Sequence, residues 1–358
     1  MNYDQILEYS PFLIPMQEKN KIMLKRLAQL TQYHQSACLP YREILDKLYS
    51  NNQIESLEDV PFLPVQLFKR LELCSVLKED VFKTMTSSGT TGQQVSKIFL
   101  DKTTANNQQK TLVKIVTDFT GASRMPMIIL DCPSVVKDRK MFSARGAGIL
   151  GFSIFGSKRM YALNDDMTLN VEELRAFVDK YRGQTIFLFG FTFMIWQYVY
   201  KELLQLTNPI DLSKAVLIHG GGWKKLQNQA VSKEEFKKSL HNACGISISN
   251  IHDYYGMVEQ TGCIYMECEC GHLHASTYSD VLIRNMKDFS LCKQGEEGVI
   301  QVLSMLPESY PGHSILTEDV GRILGEDDCP CGRKGKYFEV LGRMKHAEIR
   351  GCSDTFER

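Results

Sequence analysis

The stretch VFKTMTSSGTTGQQVSKIFL holds the densest group of chemically useful side chains in the chain. Val81, Lys83 and Met85 occupy every second position of one run, and a second run with the same period of two begins at Val95. This period predicts two strands. The loop between them, residues 86–92, consists only of serine, threonine and glycine. Its hydroxyls and backbone N–H groups suit phosphate oxygens, and glycine lets the main chain close around them. We therefore predict a polyphosphate-binding loop, the alternative being an ordinary polar hairpin.

This loop is not a P-loop of the Walker type. That motif continues with Gly-Lys-Ser/Thr and opens a helix, whereas Gly92 is followed by Gln93 and a predicted strand. ARGAGILG matches the dinucleotide-binding fingerprint in spacing, at Gly146, Gly148 and Gly151. No apolar strand precedes it, because KDRKMFSA is charged and polar. We predict instead that these glycines pack in a turn or against a neighbouring helix.

Two further segments have the features of a nucleotide pocket. Gly220–Gly222 follow the strand-like run AVLIH, so the backbone can approach a flat ligand closely. In IHDYYGMVEQTG, a tyrosine pair, Gly256 and Glu259 lie close together. An aromatic ring beside glycine can stack on a base, and a carboxylate can bind Mg²⁺ through oxygen. Each feature alone is commonly structural, but their position after the Ser/Thr/Gly loop favours nucleotide binding.

The cysteines fall into a clustered set and a scattered set. There are 11 of them, and the N-terminus has no basic segment followed by an apolar core, which favours a reducing, cytoplasmic setting. Cys268-Glu-Cys270-Gly and Cys329-Pro-Cys331-Gly are two copies of one turn motif. Two such turns supply four thiolates, the ligand set of a closed structural zinc site. The alternative is free thiols in two adjacent loops.

A large α/β protein is needed to position these segments. The 358 residues carry no net charge, which argues against a nucleic-acid partner or an anionic membrane surface. Residues 1–80 have helical periodicity, whereas short apolar runs and helical stretches alternate afterwards, which predicts a layered α/β architecture. The apolar segment 185–200 (TIFLFGFTFMIWQYVY) is too short to span a bilayer. Its pattern predicts a buried strand that continues into a helix. Its aromatic side chains are predicted to be core rather than the lining of an acyl tunnel: Phe187, Phe189, Phe191, Phe193 and Trp196.

The motifs TSSGTTG, HGGGW, YYGMVEQTG, TEDVGR and LGRMKHAEIRG occur in this order along the chain. The order resembles that of the adenylate-forming superfamily, which includes acyl-CoA synthetases, luciferases and peptide-synthetase adenylation domains. Within it, the chain is similar to phenylacetate-CoA-ligase-like enzymes and, more so, to LuxE-like long-chain acyl-protein synthetases. PFLPVQLFK, ARGAGILGF and AEIRGCSDTFE carry the latter similarity, so the resemblance covers nearly the whole chain.

The resemblance implies a role for particular residues in binding ATP. The adenine would lie beside Gly221 and Gly222 and against Tyr255, which Gly256 follows, and Mg²⁺ would be bound by Glu259. Asp319 matches the carboxylate that binds the ribose hydroxyls, and Arg343 matches the arginine near the ribose and phosphate. The phosphates would be contacted by Ser87, Ser88, Gly89, Thr90, Thr91 and Gly92.

The cysteines also acquire implied roles. Phenylacetate-ligase-like relatives use mixed Cys/His sets, which leaves open whether His272 or His274 joins the zinc ligands. LuxE-like proteins accept the acyl group on a cysteine near the C-terminus, a position that Cys352 occupies here. Its basic neighbours His346 and Arg350 favour the nucleophilic thiolate. The alternative is an unused surface thiol.

The resemblance further implies how the chain is divided. Most relatives continue into a small C-terminal lobe with an adenylation lysine, whereas only Cys352–Arg358 follow Gly351. We therefore expect a helical region over residues 1–80 and an adenylation core over 81–341, both in one large domain. A hinge motif and tail would occupy residues 342–358. The small lobe would be absent, and Cys352 on the tail would take its place.

The function implied is a cytoplasmic ligase that uses ATP and Mg²⁺ to activate a carboxylic acid, expected to be a fatty acid. The acyl group would pass to the enzyme's own cysteine, and Zn²⁺ would be structural. One alternative is a stand-alone ligase that delivers the acyl group to CoA or a carrier-protein thiol. Another is a non-catalytic nucleotide-binding subunit of an acyl-reductase complex. An acyl-CoA-reductase-like protein or an acyl carrier is the expected partner, and neither nucleic acid nor membrane insertion is expected.

Overall fold

The computed structural model describes residues 3–49, 53–87, 94–121, 124–137 and 144–344. The helices, α1 to α11 in chain order, span Tyr3–Leu7, Met16–Ala37, Leu39–Leu48, Leu67–Arg70, Lys102–Thr120, Ser134–Lys137, Ala144–Phe152, Val171–Lys180, Thr192–Met194, Lys201–Leu203 and Lys233–Cys244. A π-helix, Ile195–Tyr200, lies between α9 and α10. The strands, β1 to β14, span Leu63–Pro64, Lys83–Thr86, Lys97–Leu100, Met125–Ile129, Gly156–Tyr161, Ile186–Phe191, Ala215–Gly220, Ile251–Tyr255, Tyr265–Glu267, Leu273–His274, Ser279–Arg284, Gly298–Ser304, Ser314–Glu326 and Lys336–Arg343.

The chain forms two compact units, the first of which comprises the described residues of 1–115, 256–266 and 272–349. Its strands β11, β12, β13 and β14 are antiparallel neighbours in chain order, and β10 pairs with β14. β1 lies parallel to β13, and β2 and β3 form a separate hairpin. Buried residues recur at helical spacing along α2, at Ile22, Met23, Leu27 and Leu30, so one face of this helix belongs to the core.

A buried ionic cluster fixes α2 to this sheet. Lys19 Nζ lies 3.3 Å from Asp280 Oδ1 on β11, and Lys336 Nζ on β14 lies 3.0 Å from Asp280 Oδ2. Burial lowers the pKa of Lys19. Although burial also opposes ionisation of Asp280, the two lysines hold the pKa of that carboxyl below its ordinary value. Removing one member would leave an uncompensated buried charge, so the cluster makes the position of α2 specific.

Residues 116–255 form the greater part of the second unit. Its strands are parallel, in the order β8-β7-β6-β4-β5. Every residue of β6 (IFLFGF) and of β7 (AVLIHG) is buried, which is why these strands are continuous apolar runs rather than alternating ones. The carboxyl ends of parallel strands share one edge of the sheet, which is where ligands bind in open α/β folds.

The layered α/β architecture predicted from the sequence is confirmed, with some local differences. NKIMLKRLAQLTQYH lies in α2, and VFKTM and VSKIFL contribute to the β2–β3 hairpin. The run 185–200 begins as the predicted buried strand, but its last six residues form a π-helix rather than an α-helix. The residues that follow Trp223 form a 3₁₀ helix, Lys224–Gln229. The division at residues 80 and 341 stays a prediction.

Membrane insertion was not expected. Among the described residues, no helix combines the length and the apolar character that crossing a bilayer requires.

Candidate functional site

Two serines close the base of the predicted phosphate loop. The Ser87 N–H donates to the Ser96 carbonyl (3.1 Å), and the Ser96 N–H donates to Ser87 Oγ (2.9 Å). These bonds extend the β2–β3 hairpin past its strand ends and hold the two ends of the loop together. Both serines are buried. The other predicted loop residues lie outside the described residues: Ser88, Gly89, Thr90, Thr91 and Gly92.

Glu259, the predicted Mg²⁺ ligand, is tied to this loop base. Ser96 Oγ donates to Glu259 Oε1 over 2.6 Å, and the two residues are 0% and 1% exposed. A hydrogen bond to a carboxylate is stronger than one between neutral groups and fixes the orientation of the carboxylate. Ser96 therefore connects the phosphate loop to the acidic residue.

The turn that carries Glu259 is held in place from two sides. It is a 3₁₀ helix, Val258–Gln260, and the Tyr310 hydroxyl donates to the Glu259 carbonyl over 2.9 Å. Gly262, the last residue of YYGMVEQTG, has φ of +93°, and a Cβ there would lie 2.6 Å from the Cα of Gln108 on α5. Only glycine fits such a position. The last glycine of the motif is therefore required by close packing against α5, whereas Glu259 supplies its carboxylate.

Asp319 and Arg343 are paired across β13 and β14. They are partners in the antiparallel register, and Arg343 Nε lies 3.3 Å from Asp319 Oδ1. Arg343 Nη2 also lies 3.8 Å from Glu318 Oε2. The two residues assigned by resemblance to the ribose and the phosphate are thus side by side. Their side chains are 18% and 35% exposed, so a ligand can reach both.

In the second unit, Gly220–Gly222 form a sharp turn at the carboxyl end of β7. Gly221 and Gly222 have φ of +80° and +59°, a left-handed conformation that favours glycine at both positions. A Cβ at Gly220 would lie 2.7 Å from the Tyr254 ring, whereas a Cβ at Gly222 would meet no described atom within 4 Å. The turn therefore packs against Tyr254 on one side and has an open face at Gly222.

Tyr255 and Gly256, the predicted base-binding pair, follow Tyr254 at the end of β8. Tyr255 is half-buried and Gly256 is exposed. The close packing on the glycine turn belongs to Tyr254, whose ring lies against Gly220. Stacking of Tyr255 on adenine stays a prediction.

Thr192, just after β6, fixes the upstream side of the glycine turn. Its Oγ1 donates to the Gly220 carbonyl (3.2 Å) and lies 3.0 Å from Nδ1 of His219. Burial lowers the pKa of His219 to about 3, so the imidazole is neutral. Thr192, the first residue of α9, therefore holds His219 and Gly220, the last two residues of β7, in place.

Four side chains with soft donor atoms meet in one group. The Sγ atoms of Cys268, Cys329 and Cys331 and a ring nitrogen of His274 all lie within 4.8 Å of one another. Cys331 Sγ is 3.4 Å from His274 Nε2. That spacing suits two ligands of tetrahedral zinc, whose bonds to sulfur and nitrogen are about 2.3 and 2.0 Å. Three thiols and an imidazole, all buried or half-buried, fit a closed structural site.

Cys270 is not in this group, so the predicted set of four cysteines needs a correction. Each Cys-x-Cys-Gly motif forms a tight turn in which the glycine N–H donates to the carbonyl of the first cysteine over 2.9 Å. Cys270 lies at the corner of the first turn and is exposed, whereas Cys268 at its start is buried. The turn geometry thus directs only one of its two thiols to the group.

His274 supplies the fourth donor, which settles the composition of the described group. It lies on β10 and is completely buried, with 0% exposure. His272, the other alternative, is not a member, although its Nδ1 lies 3.3 Å from Cys329 Sγ. The site therefore combines three of the four predicted thiols with one imidazole.

The remaining cysteines that the structure describes differ in their burial. Cys38, Cys132, Cys244 and Cys263 are buried, and Cys74 and Cys292 are partly exposed. Burial raises the pKa of Cys244 to about 11 and that of Cys263 to about 12, so these thiols are poor nucleophiles at neutral pH. Cys352 lies outside the described residues, and its role stays a prediction.

The aromatic residues of β6 are core, as predicted. Phe189 is 0% exposed and stacks on Phe152 of α7 with ring centroids 4.1 Å apart. Gly148, on the same helix, approaches this strand so closely that a Cβ would lie 3.0 Å from Phe191 Cζ. Gly148 therefore has a packing role, but it lies within a helix and its partner is a strand rather than a turn or a neighbouring helix.

Ser96 and Thr192 each bind a predicted site residue or the glycine turn, and the sequence analysis did not single out either of them. A signal existed for Thr192, because it directly follows a buried strand at the edge where parallel strands end. None existed for Ser96, whose partner Glu259 lies 163 positions away.

The family model described as "Acyl-protein synthetase, LuxE" matches residues 2–358 of the chain. A long-chain-fatty-acid–luciferin-component ligase from Vibrio harveyi is 22% identical over 98% of this chain and 91% of its own length. The ligase of the same name from Aliivibrio fischeri is 22% identical over 98% of this chain and 92% of its own length.

Solved structures of a 2-hydroxyisobutyryl-CoA ligase have a similar fold. One, in the postadenylation state with 2-HIB-AMP, has a TM-score of 0.69 at 14% identity and covers 93% of this chain and 69% of that one. Another, an open conformation with 2-HIB-AMP and CoA, has a TM-score of 0.69 at 16% identity and covers 95% and 78%. This likeness confirms the adenylate-forming fold. Because the family model spans nearly the whole chain, the chain belongs to the LuxE family of acyl-protein synthetases.

Proposed function

We propose that this chain activates a fatty acid with ATP and transfers the acyl group to a thiol of its own. The observation that carries the proposal is the connection Ser87–Ser96–Glu259, which joins the Ser/Thr/Gly loop to a buried carboxylate. Phosphates bind to such a loop, and a divalent cation binds to such a carboxylate. In a member of the acyl-protein synthetase family, this pairing suits ATP as the activating substrate.

In the first step, a carboxylate oxygen of the acid attacks the α-phosphorus of ATP. The bond between that phosphorus and the oxygen that bridges the α- and β-phosphates breaks. Pyrophosphate departs, and the acyl-adenylate remains. Loop N–H groups and Arg343 neutralise phosphate charge, and Asp319 accepts hydrogen bonds from the ribose hydroxyls. Mg²⁺, for which Glu259 is the proposed ligand, would supply further positive charge at the phosphates. The protein contributes positioning and electrostatic stabilisation rather than covalent chemistry in this step.

In the second step, a cysteine thiolate attacks the acyl carbonyl carbon. The bond to the AMP oxygen breaks, AMP leaves, and a thioester remains, while the thiol proton passes to solvent. We assign the thiolate to Cys352, because Arg350 and His346 nearby in sequence favour its ionised form. An acyl-CoA-reductase-like protein or an acyl carrier is the proposed consumer of the thioester.

We also propose that Cys268, His274, Cys329 and Cys331 bind Zn²⁺. The donor set and its spacing support this ion, and the protein supplies all four ligands. A tetrahedral site with four protein ligands leaves no position for substrate, so the ion is structural.

The test is incubation with Mg²⁺-ATP and a panel of saturated fatty acids of different length, with one aromatic acid as comparison. We expect the intact mass to rise by the mass of the acid less one water, and hydroxylamine to remove the addition. Cys352→Ser should abolish labelling but retain acid-dependent exchange of pyrophosphate into ATP. Cys292→Ser, at a partly exposed cysteine without an assigned role, is the matched control and should label normally.

Three outcomes would contradict the proposal at different points. Labelling that persists in Cys352→Ser excludes the tail cysteine as acceptor. Acyl-CoA or acyl-carrier formation by an enzyme that stays unmodified favours the stand-alone ligase. Absence of acid-dependent pyrophosphate exchange across the panel excludes activation and favours a nucleotide-binding subunit without catalysis.

A further inference from the structure

The two tryptophans of the chain lie together beside the glycine turn. Trp223 directly follows Gly222, and Trp196 belongs to the π-helix that follows α9. Their ring centroids are 5.4 Å apart with an interplanar angle of 77°, an edge-to-face arrangement. Both side chains are half-buried. The residue that leaves the turn is therefore packed against a second large aromatic ring.

Phe236 on α11 completes a set of three rings that contact one another in pairs. It is 2% exposed, stacks on Trp196 with centroids 5.9 Å apart, and meets Trp223 edge-on at 6.1 Å. We refer to Trp196, Trp223 and Phe236 as the aromatic clamp. Because such pairs are attractive beyond their buried area, Trp223 is held from two directions.

The π-helix explains how Trp196 is placed in the clamp. It spans Ile195–Tyr200, and within it Trp196 stacks on Tyr200 with centroids 4.5 Å apart at 26°. A π-helix is rarer than an α-helix, and it is frequently found at functional sites. Stacking on Tyr200 therefore fixes the ring of Trp196, which Trp223 contacts.

The glycine turn is consequently anchored at both ends. Upstream, Thr192 binds the Gly220 carbonyl and His219. Downstream, the aromatic clamp holds Trp223. Between these anchors, Gly221 and Gly222 have left-handed backbone conformations. Without the anchors, a glycine would also adopt many other backbone conformations. The open face at Gly222 lies between the two anchored residues, Gly220 and Trp223.

We propose that Trp223 is a positioning residue for ATP, which keeps Gly221 and Gly222 in the conformation whose open face receives the adenine. This inference rests on the proposed function, from which it takes ATP binding at the turn. When the clamp is lost, the two glycines must be ordered at the moment of binding, which weakens affinity for ATP. The clamp residues belong to neither the phosphate loop nor the Glu259 turn, so the chemical step itself is unaffected.

The first test is the steady-state kinetics of pyrophosphate exchange in Trp223→Ala and Trp223→Phe. Trp223→Ala should raise KM for ATP about tenfold, with kcat and KM for the acid changed by less than about twofold. Trp223→Phe keeps an aromatic ring in the clamp and should restore KM for ATP to within about threefold of the wild type. A merely structural role would lower the amount of active enzyme, and hence kcat, without this selective change.

Phe177→Ala is the matched control. Phe177 is half-buried like Trp223, and its ring centroid lies 4.7 Å from that of Tyr181, four residues further along the chain. It lies on α8, away in sequence from the glycine turn. We expect its KM for ATP to equal that of the wild type.

The second test uses tryptophan emission and does not depend on turnover. Trp196→Phe leaves Trp223 as the single tryptophan, and Mg²⁺-ATP without acid should change its emission with a saturable dependence on concentration. Trp223→Phe leaves only Trp196, whose emission should change less. This test also decides the matter if Trp223→Ala does not fold.

The outcomes separate this inference from the proposed function. An active wild type together with a folded Trp223→Ala variant whose KM for ATP is unchanged overturns the inference and leaves the function standing. A wild type without acid-dependent exchange overturns the function. In that case the emission of Trp196→Phe still decides the inference: a saturable response to ATP supports it, and no response overturns it.

Discussion

Ser96 makes two different kinds of contact at the base of the phosphate loop. Its main-chain N–H and carbonyl bind Ser87, and its side-chain hydroxyl binds Glu259. Replacing the side chain therefore removes one contact and retains the other. This separation allows the orientation of the Glu259 carboxylate to be tested without opening the loop.

We expect Ser96→Ala to reduce kcat of pyrophosphate exchange about tenfold and to raise the Mg²⁺ concentration needed for half-maximal rate. The physical reason is that the Glu259 carboxylate loses the donor that orients it toward the cation. Ser304→Ala is a control of equal burial in the same unit, where Ser304 Oγ binds Cys263 instead. Unchanged Mg²⁺ dependence in a folded Ser96→Ala variant would show that the hydroxyl does not position a metal ligand.

At the scale of elements, the two Cys-x-Cys-Gly turns differ in how many thiols they contribute to the group of Cys and His side chains. Gly271 and Gly332 have φ of +81° and +84° and close equivalent hydrogen-bonded turns. The turns nevertheless contribute differently, because Cys329 and Cys331 both join the group whereas Cys270 is exposed. The strand β10 brings His274 into the position that Cys270 does not reach.

Zinc content distinguishes the two sets of ligands. Cys329→Ser should lose most of the bound zinc and lower Tm by roughly 5–10 °C, because folding energy from metal binding is lost. Cys270→Ser, in a matching motif, should keep zinc and Tm. The measurements are elemental analysis of the purified protein and thermal unfolding. Equal loss of zinc in both variants would restore the set of four cysteines.

At the scale of the whole molecule, buried neutral histidines make stability depend on pH. His34 on α2 is 0% exposed, stacks on His313 at 5.2 Å, and lies with Nδ1 2.7 Å from Ser75 Oγ. Burial lowers the pKa of His34 to about 3, and burial also lowers the pKa of His313. The unfolded chain therefore binds protons that the folded chain does not, between the ordinary histidine pKa and about 3. Stability is complete above the ordinary pKa and is lost as pH falls.

Acidification from pH 7.5 to 5.5 should cost the wild type about 1.4 kcal/mol of unfolding free energy through His34 alone. His34→Gln removes this titration, so its stability should fall less over the same interval, although it starts lower. Denaturant unfolding at the two pH values measures the difference. His241→Gln, at an exposed position on α11, is the control. Parallel losses in the wild type and His34→Gln would mean that other groups govern the acid sensitivity.

Much of the fold and part of the site could be predicted from the sequence, because their signals are local. Alternating residues around the Ser/Thr/Gly loop predicted the β2–β3 hairpin, and continuous apolar runs predicted β6 and β7. The order of the motifs pointed to the family. The π-helix was missed because its composition does not differ from that of an ordinary amphipathic helix.

The sequence by itself therefore determined the α/β class, the hairpin around the Ser/Thr/Gly loop, the glycine turn and the two Cys-x-Cys-Gly turns, each a property of a few consecutive residues. Only the tertiary structure decided that Ser96 binds Glu259, that Asp319 faces Arg343, that His274 replaces Cys270, and that Trp223 packs on Trp196. The physical reason is that these choices depend on strand register and burial, which join residues far apart in the chain. No short window of sequence contains both partners.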